Sequence, residues 1–460
     1  MGAESDLAPL FFPRSIAVVG ASSQTRKWGF RILRNILTGG FRGPVYPVNP
    51  REESVLGLRA FPRVADLPEG TDMAVVCTPV PRSLEVVRQC AARGVRFAVM
   101  IPAGYGETGG EGLRAQRELV DEARKGGTRL VGPNSMGVMS SPSRLYAYMS
   151  AARPQAGAIA FVSQSGNLGT QILGAGQREG LGFRFFASSG NEADLACQDY
   201  LAYFAREEGV RVILAYMEGF SDGRAFAEVA RRASLRKPVV VYKAGRTPAG
   251  ERAAASHTGV LSTPSGICRG VFRQAGLVDA SCTEQMLDLV KAFSSLPLPR
   301  GGRVAVLSWG GGWGVISADA CQEEGLDLPP PSPRTLARMD GLLPPFWPRG
   351  NPVDLVGTLE LDNHLRCLEM LAADPAFDAV LALGTITGFE DFQEQDRSFL
   401  ERMAELVEAY RKPILAVKLF DEYEADFLRR HCGLVFPSPE RAVAALSRMY
   451  AYRRFLQANR

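Results

Sequence analysis

Short apolar runs alternate with longer amphipathic stretches over the first third of the chain. Most of the runs end in glycine, proline or asparagine, as a β-strand does where it leads into a loop. The runs are SIAVVGAS (15–22), PVYPVNP (44–50), MAVVCTP (73–79), FAVMIPAG (97–104) and RLVGPNSMG (129–137), and helical spacing is found in RILRNILTGG (31–40) and RSLEVVRQCAARG (82–94). This alternation predicts an α/β fold with a parallel sheet covered by helices, and such sheets bind ligands at the carboxyl ends of their strands.

The remainder of the chain contains an internal repeat. GAIAFVSQSGNLGT (157–170) aligns without gaps with GRVAVLSWGGGWGV (302–315), and QREGL (177–181) aligns with QEEGL (322–326) at the same offset. A repeated strand, glycine loop and helix predict two copies of one α/β domain. The proline-rich segment 294–303 is the predicted linker, and a weaker boundary falls within 140–157. We therefore predict domains at 1–145, 146–295 and 300–460.

Composition excludes several classes of protein. Hydrophobic residues make up 46% of the chain, charged residues 22%, and the net charge is +4, without a basic block that would favour nucleic acid. No apolar run approaches the roughly 18 residues of a membrane span. The 8 cysteines form no CxxC pair, and the start of the chain does not resemble a secretory signal, so we expect reduced thiols and a cytoplasmic protein.

The loop GASSQTRKWG (20–29) follows the first predicted strand and opens a helix. Backbone N–H groups and the helix dipole at such a junction can bind an anion, and Ser22, Ser23 and Lys27 add polar and positive groups. The loop could equally be a simple turn. It lacks the GxGxxG spacing, and no ribose-binding acid stands at the end of PVYPVNP, so an NAD(P)-dependent oxidoreductase is disfavoured.

A second candidate anion site lies in VSQSGNLGTQIL (162–173). Ser163, Gln164, Ser165 and Gly166 immediately precede a predicted helix, where hydroxyls and successive amides can surround a phosphate. An ordinary helix N-cap would explain the same residues. The other copy of the repeat has SWGGGWG (308–314) here, so the polar version is the one that we interpret as adapted to a ligand.

Two titratable residues follow strands of the same domain. Glu218 comes directly after VRVILAYM (210–217), and His257 lies in the small-residue segment RAAASHTGVL (252–261), which we interpret as a loop. A surface acid and a structural histidine are the alternatives. An imidazole near a phosphate can act as a nucleophile or as an acid or base. No acid or cysteine is close enough in sequence to His257 to predict a metal site, and no GxSxG motif supports a hydrolase triad.

Several ordered motifs resemble those of the NDP-forming acyl-CoA synthetases, and in particular the α subunits of ADP-forming acetate–CoA ligases. They are GPNSMG (132–137), SQSGNLGTQIL, MEG (217–219), KAGRTPAGERAAASHTGVL (243–261), NPVDLVGT (351–358) and FPSPERAVAAL (436–446). The resemblance runs from about residue 9 to the end of the chain. It implies a Rossmann-like CoA-binding domain followed by two flavodoxin-like ligase domains.

The resemblance also implies roles for individual residues. His257 would be the residue that is transiently phosphorylated, Glu218 would steady it, and Ser163–Gly166 would bind the phosphoryl group. In the family motif GPNC, Ser135 takes the place of the cysteine, and with Asn134 it would shape the acyl pocket. The residues expected to bind CoA are Gly20, Ser22, Ser23, Lys27, Val48, Asn49, Pro50, Thr78 and Pro79.

The implied reaction is acid + CoA + ATP ⇌ acyl-CoA + ADP + phosphate. A carboxylate has no leaving group, and phosphorylation supplies one that the thiol of CoA can displace. No ATP-grasp-like segment follows the third predicted domain, so we expect a separate β subunit to bind ATP or ADP with Mg²⁺. A non-catalytic CoA-binding regulator on the same scaffold is the alternative, although such a protein would not need His257, Glu218 and the serine loop together.

Overall fold

The computed structural model of the chain describes residues 6–258, 265–357, 361–385, 390–418 and 430–459. Three sheets carry the fold, together with a small hairpin of β3 (Ser54–Val55) and β4 (Leu58–Arg59). By contact clustering the chain forms two compact units, one of Met1–Arg178 with Gly182–Asp279 and one of Glu179–Leu181 with Ala280–Arg460. The first unit contains two of the large sheets and the second contains the third.

The first sheet is fully parallel. Its strands are β1 (Ile16–Val19), β2 (Val45–Val48), β5 (Met73–Val76), β6 (Phe97–Met100) and β7 (Arg129–Val131), in the order β2-β1-β5-β6-β7. The helices of this region are α1 (Ala8–Phe11), α2 (Trp28–Thr38), α3 (Val80–Ala92) and α4 (Gly110–Lys125), with short 3-10 helices at Val64–Asp66 and Gly106–Thr108. The strand order reverses beside β1, which places a ligand crevice where β1 and β5 end.

The second sheet is mixed. Its strands are β8 (Gly137–Ser140), β9 (Leu145–Tyr148), β10 (Ala156–Ser163), β11 (Phe183–Ser188), β12 (Val212–Met217), β13 (Val239–Lys243) and β14 (Val278–Asp279), in the order β14-β13-β12-β10-β11-β8-β9. β8 runs antiparallel to both β9 and β11, whereas the other pairs are parallel. The helices are α5 (Gly166–Arg178), α6 (Cys197–Arg206), α7 (Gly223–Ser234), α8 (Pro248–Thr258) and α9 (Ser265–Ala275).

The third sheet repeats the parallel pattern. It contains β15 (Val304–Ser308), β16 (Val353–Asp354), β17 (Ala379–Leu383), β18 (Ile414–Val417) and β19 (Val435–Phe436), in the order β16-β15-β17-β18-β19. The helices are α10 (Thr283–Ser295), α11 (Gly311–Glu323), α12 (Pro333–Asp340), α13 (Leu361–Ala373), α14 (Gln393–Tyr410) and α15 (Pro439–Ala458), with 3-10 turns at Glu390–Phe392 and Cys432–Leu434.

Alternation along the strands explains how the first unit is packed. Ile16 and Val18 of β1 belong to one buried cluster, while Ala17 and Val19 belong to another on the opposite face of the sheet. The first of these clusters continues into the second sheet through residues such as Phe185 of β11. A shared apolar core is therefore the reason that the two sheets form one compact unit.

The α/β fold class predicted from the sequence is confirmed: each of the three large sheets is built mainly of parallel strands that alternate with helices along the chain. The domain boundaries stay predictions. Residue 145, the predicted end of the first domain, is the first residue of β9, and β8 and β9 pair with the second sheet. Helix α10, which precedes residue 295, clusters with the second unit.

The remaining composition-based expectations concern thiols, membranes and metals. The cysteines whose side chains are described are free thiols. No helix in the described ranges is both long enough and apolar enough to cross a bilayer. No group of three or more metal-ligating side chains occurs among the described residues.

Candidate active site

A cavity of about 690 Å³ opens at the carboxyl ends of β1, β2 and β5. The residues predicted to bind CoA line this cavity, with the exception of Ser23: they are Gly20, Ser22, Lys27, Val48, Asn49, Pro50, Thr78 and Pro79. They come from three separate loops of the sequence. The parallel sheet brings the loops together because the carboxyl ends of parallel strands meet at one edge.

The β1–α2 loop approaches its neighbours closely. Gly20 has φ +85°, and a Cβ at this position would stand 3.2 Å from the main chain of Cys77 in the next loop. A Cβ on Gly29, in the first turn of α2, would overlap the Gly20 carbonyl oxygen. Lys27 is the N-cap residue of α2, and its side chain makes no capping hydrogen bond. The first N–H groups of the helix are therefore left to other partners. Glycine at both positions thus permits the tight loop that an anion site requires.

A carboxylate of the chain itself occupies part of this loop. Glu52 accepts hydrogen bonds from the Ser23 N–H at 2.9 Å, the Ser23 hydroxyl at 2.5 Å and the Ser22 hydroxyl at 3.1 Å. Asn49 Nδ2 donates both to Glu52, at 3.2 Å, and to the Ala21 carbonyl, at 2.7 Å. Hydrogen bonding from Ser23 is the main cause that lowers the pKa of Glu52 below its ordinary value.

The sequence reasoning missed Glu52, because it looked for an acid only at the end of PVYPVNP. The adjacent pair Glu52–Glu53, directly after Asn49-Pro50-Arg51, was the available signal. It also missed the cavity's arginines, which are spread over separate segments as Arg26, Arg51, Arg63 and Arg82. With Lys27, these cations give the cavity a positive wall that suits a phosphate-bearing ligand.

Cys77 lines the cavity as well. Burial raises the pKa of its thiol to about 12. A thiol that stays protonated at neutral pH is a poor nucleophile, so Cys77 contributes shape to the cavity and not reactivity.

The GPNS loop, between β7 and β8, is held by the end of β11. Ser135 is buried, its hydroxyl donates to the Ser188 carbonyl at 2.6 Å, and it accepts from the Gly137 N–H at 3.0 Å. Asn134 has φ +59° and donates through Nδ2 to the Asn191 side chain at 3.3 Å. Neither residue lines the 690 Å³ cavity. Their role in an acyl pocket stays a prediction, and Ser135 is in any case a structural tie between the two sheets.

The loop after β11 makes further connections to the first sheet. Asn191 donates to Glu107 and, at 3.0 Å, to Gln116. Asp194 is buried and accepts from Arg129 at 2.8 Å and from Arg124 at 3.0 Å. Burial alone would raise the pKa of Asp194, but Arg129, the Leu130 N–H and Arg124 lower it overall. These contacts fix the loop that carries Glu192.

The predicted phosphate loop follows β10. The Ser163 hydroxyl donates to the Ser165 carbonyl at 2.6 Å, and in the third sheet the Ser308 hydroxyl donates to the Gly310 carbonyl at 2.6 Å. Because both copies of the repeat make this contact, it belongs to the shared fold. Ser165 Oγ lies 3.5 Å from the Leu168 N–H, as an N-cap does. The N–H groups at the start of α5 are therefore the donors best placed to bind a phosphoryl oxygen.

Glu218 follows β12, between the ends of β10 and β13, and is 6% exposed. Gln164 Oε1 accepts from the Glu218 N–H at 2.5 Å and from the Gly219 N–H at 3.1 Å, and its Nε2 donates to the Gly219 carbonyl at 2.9 Å. On the other side, buried Lys243 donates to the Glu218 carbonyl at 2.8 Å. The acid predicted from the sequence thus stands at a strand end with a rigidly held main chain.

His257 lies in helix α8, so the prediction of a loop at this position is wrong. Its side chain lies outside the described residues. Pro248 begins the helix with a φ suited to the first turn, Glu251 stands in that turn, and the alanines that follow favour helix. The small residues around His257 were interpreted as a loop, although alanine has the highest helix propensity of all residues.

Three family models match successive parts of the chain. They are described as a CoA binding domain at residues 14–141, a succinyl-CoA ligase like flavodoxin domain at 156–293 and a Ligase-CoA domain at 304–458. Together with the cavity at the first sheet, they define the class: a CoA-ligase type of protein built from three α/β domains.

Relatives narrow the class to a family. The α subunit of ADP-forming acetate–CoA ligase II from Pyrococcus furiosus is 36% identical over 95% of each chain. The ADP-forming acetate–CoA ligase I of Archaeoglobus fulgidus is 37% identical over 96% of this chain and 63% of its own length. The structure of a dinucleotide forming acetyl-coenzyme A synthetase 1 from Ca. Korarchaeum cryptofilum, in complex with phosphate and ADP, matches with a TM-score of 0.91 and 36% identity over 99% of each chain.

The chain therefore belongs to the NDP-forming acyl-CoA synthetase family, among the α subunits of ADP-forming acetate–CoA ligases, which are acid–thiol ligases. The resemblance inferred from the motifs is confirmed.

Proposed function

We propose that this chain is the α subunit of an ADP-forming acyl-CoA synthetase in which His257 carries the phosphoryl group between nucleotide and acid. The observation that carries the proposal is the 690 Å³ cavity, lined by nearly all of the residues predicted for CoA. CoA would bind there with its phosphates near Ser22, Lys27 and the cavity's arginines. Family membership supports the same reaction: acid + CoA + ATP ⇌ acyl-CoA + ADP + phosphate.

The phosphoryl group would be held at the second sheet. The N-terminus of α5, at Ser165 and Gly166, supplies main-chain donors, and Glu218 supplies a carboxylate that can accept the imidazole N–H of His257. In the direction of acid activation, the acid's oxygen attacks phosphorus on His257 and forms an acyl phosphate. The CoA thiolate then attacks the acyl carbon, and phosphate leaves.

The nucleotide would bind to a separate ATP-grasp subunit, which brings Mg²⁺ with it. The Pyrococcus relative supports this partner, since it is named a subunit alpha and matches this chain over almost its whole length. A small carboxylic acid is the remaining substrate, and acetate is the first to test because of the relatives' names.

The test is labelling of the chain with γ-³²P-ATP in the presence of the ATP-grasp subunit. The wild-type chain is expected to take up acid-labile, base-stable label, and His257→Asn is expected to take up none and to lose turnover by at least about 10³-fold. Full turnover by His257→Asn would contradict the proposal. Binding of CoA by the wild-type chain without label would favour the non-catalytic alternative.

A further inference from the structure

Two side chains hold the main chain of Glu218 and Gly219 beyond the end of β12. Gln164, from the strand on one side, pairs with the N–H of Glu218 and with both the N–H and the C=O of Gly219. Lys243, from the strand on the other side, donates to the Glu218 carbonyl at 2.8 Å and to the Ala244 carbonyl at 2.5 Å. We call Gln164 and Lys243 the Glu218 clamp. Beyond the last paired residues of the strands, these side-chain hydrogen bonds connect Glu218 and Gly219 to the segments on either side.

The amide of Gln164 is largely used in these contacts. Its Oε1 accepts two N–H groups, and one Nε2 proton goes to the Gly219 carbonyl. A primary amide has two donor protons and one carbonyl oxygen with two lone pairs. This geometry thus commits the oxygen and one N–H of Gln164 to the main chain of Glu218 and Gly219, which is the arrangement of a residue that positions this peptide.

The other copy of the repeat shows which part of the clamp accompanies the acid. At the equivalent strand end of the third sheet, Trp309 replaces Gln164 and Thr385 replaces Glu218, by alignment and strand register. Lysine is kept, as Lys418. Glutamine is therefore present where the glutamate is present, whereas lysine is present in both copies of the fold.

We propose that Gln164 is a positioning residue, which fixes the main chain of Glu218 so that its carboxylate meets His257, and is not a ligand of the phosphoryl group. This inference rests on the proposed roles of Glu218 and His257. Two hydrogen bonds to adjacent N–H groups and one to a C=O define the plane of the Glu218–Gly219 peptide, and the direction of the Glu218 side chain follows from it. A displacement of about 1 Å at a reacting group can cost on the order of 10² in rate.

The half reaction with acyl-CoA and phosphate isolates this step from the nucleotide. A phosphate oxygen attacks the acyl carbon of acetyl-CoA, the CoA thiolate leaves, and His257 then attacks phosphorus of the acyl phosphate while acetate leaves. The full chain, with its partner subunit present and nucleotide absent, is mixed with acetyl-CoA and ³²P-phosphate. The single-turnover rate constant of labelling and its half-saturating phosphate concentration are measured.

Gln164→Met is expected to slow labelling about tenfold or more, with the half-saturating phosphate concentration unchanged within about twofold. Glu218→Gln is expected to slow it about 10²-fold. The double variant should be no slower than Glu218→Gln alone, because the clamp acts only through the glutamate. The proposal would be overturned if the rate losses of the two single variants multiplied in the double variant. It would also be overturned if the half-saturating phosphate concentration of Gln164→Met rose tenfold.

The matched control is Gln171→Met, the same change on the exposed face of α5, where the glutamine donates a hydrogen bond to the side chain of Asn167 at 3.3 Å. It should label at the wild-type rate. If Gln164→Met does not fold, Gln164→Asn, whose amide is one methylene too short to make the same contacts, serves in its place with Glu218 unchanged. Wild-type labelling by Glu218→Gln would instead overturn the proposed role of Glu218, which separates that failure from failure of the clamp.

Discussion

At the scale of single residues, the loop that follows β1 holds an anion of the chain itself beside the cavity. The carboxylate of Glu52 takes up hydrogen-bond donors from Ser22 and Ser23 that would otherwise be offered to a phosphate. Like charges at short range repel, so a bound phosphate and an ionised Glu52 oppose one another at this loop. Glu52 thus holds the loop in shape before CoA binds, and we expect it to lower the affinity of the loop for CoA.

Glu52→Gln is expected to lower the KM for CoA by about two- to fivefold, since it removes one half-buried negative charge beside the expected position of the phosphates. The measurement is the initial rate of the complete enzyme at varied CoA concentration, with kcat expected to change little. Glu53→Gln, at the exposed neighbouring position, is the matched control. An increase in KM would show that Glu52 is needed to order the loop and that its repulsion is secondary.

A second residue, Glu192, makes the stability of the folded chain depend on pH. Burial raises the pKa of Glu192 to about 7, against hydrogen bonds from Ser189 and Gln164 that lower it. The Ser189 hydroxyl donates to Glu192 at 2.8 Å. In the unfolded chain a glutamate ionises near pH 4.3. The folded chain therefore holds an extra proton between about pH 4.3 and pH 7, and stability from this group is lost as the pH rises through about 7.

Glu192→Gln removes this ionisation and keeps an oxygen that can accept from Ser189. The difference in Tm between the variant and the wild-type protein is expected to grow in favour of the variant from pH 5 to pH 8, on the scale of about 2–4 °C. Thermal unfolding across this pH range measures it, with Glu208→Gln as the exposed control on the same unit. A difference that does not change with pH would contradict a neutral, buried Glu192.

At the scale of elements, function is concentrated where parallel strands end. The first sheet gathers three loops around one cavity, and the second gathers Gln164, Glu218 and Lys243 from adjacent strands. Strand ends can hold such groups because the sheet fixes their spacing while the loops remain free to vary. The approach of α2 to the β1 loop is the tightest of these junctions.

Gly29→Ala tests that junction. Its Cβ would overlap the Gly20 carbonyl oxygen, so we expect a loss of about 1–3 kcal/mol in the free energy of unfolding. The KM for CoA should rise as the loop moves. Gly270→Ala, in α9 with nothing within 4 Å of the added Cβ, should instead be neutral or stabilising by up to about 1 kcal/mol. Urea denaturation of both variants compares them, and equal stability of Gly29→Ala and wild type would contradict the close approach.

At the scale of the whole molecule, one domain design is used twice with different chemistry. Both copies keep the strand, the serine contact after it and the glycine-rich helix start. Only the copy in the first unit also has Glu218 and the glutamine of the Glu218 clamp. Duplication therefore supplied a stable scaffold, and a few polar residues at one strand end distinguish the copy that we propose to be catalytic from the other.

The two compact units are fewer than the three predicted domains, whose boundaries stay predictions. The strands β8 and β9 join the second sheet although they lie close to the first domain in sequence, and α10 clusters with the second unit. Both segments carry buried apolar side chains, such as Val138 of β8 and Leu289 of α10. Which core they join depends on the surface available to them, and that surface forms only in the folded chain.

From the sequence alone came the strands of the first sheet, the repeat, the family, and which loops would surround the CoA cavity, because local periodicity and short motifs carry that information. It misread the segment around His257, where small residues indicated a loop and alanine propensity favoured a helix. The contact of Ser163 is local, two residues along the chain, and it belongs to the shared fold because both copies of the repeat make it. Folding in three dimensions was needed to show that Glu52 reaches back to Ser23 and that Gln164 holds Glu218. These two contacts join loops distant in sequence, and the order and register of the strands set which loops meet.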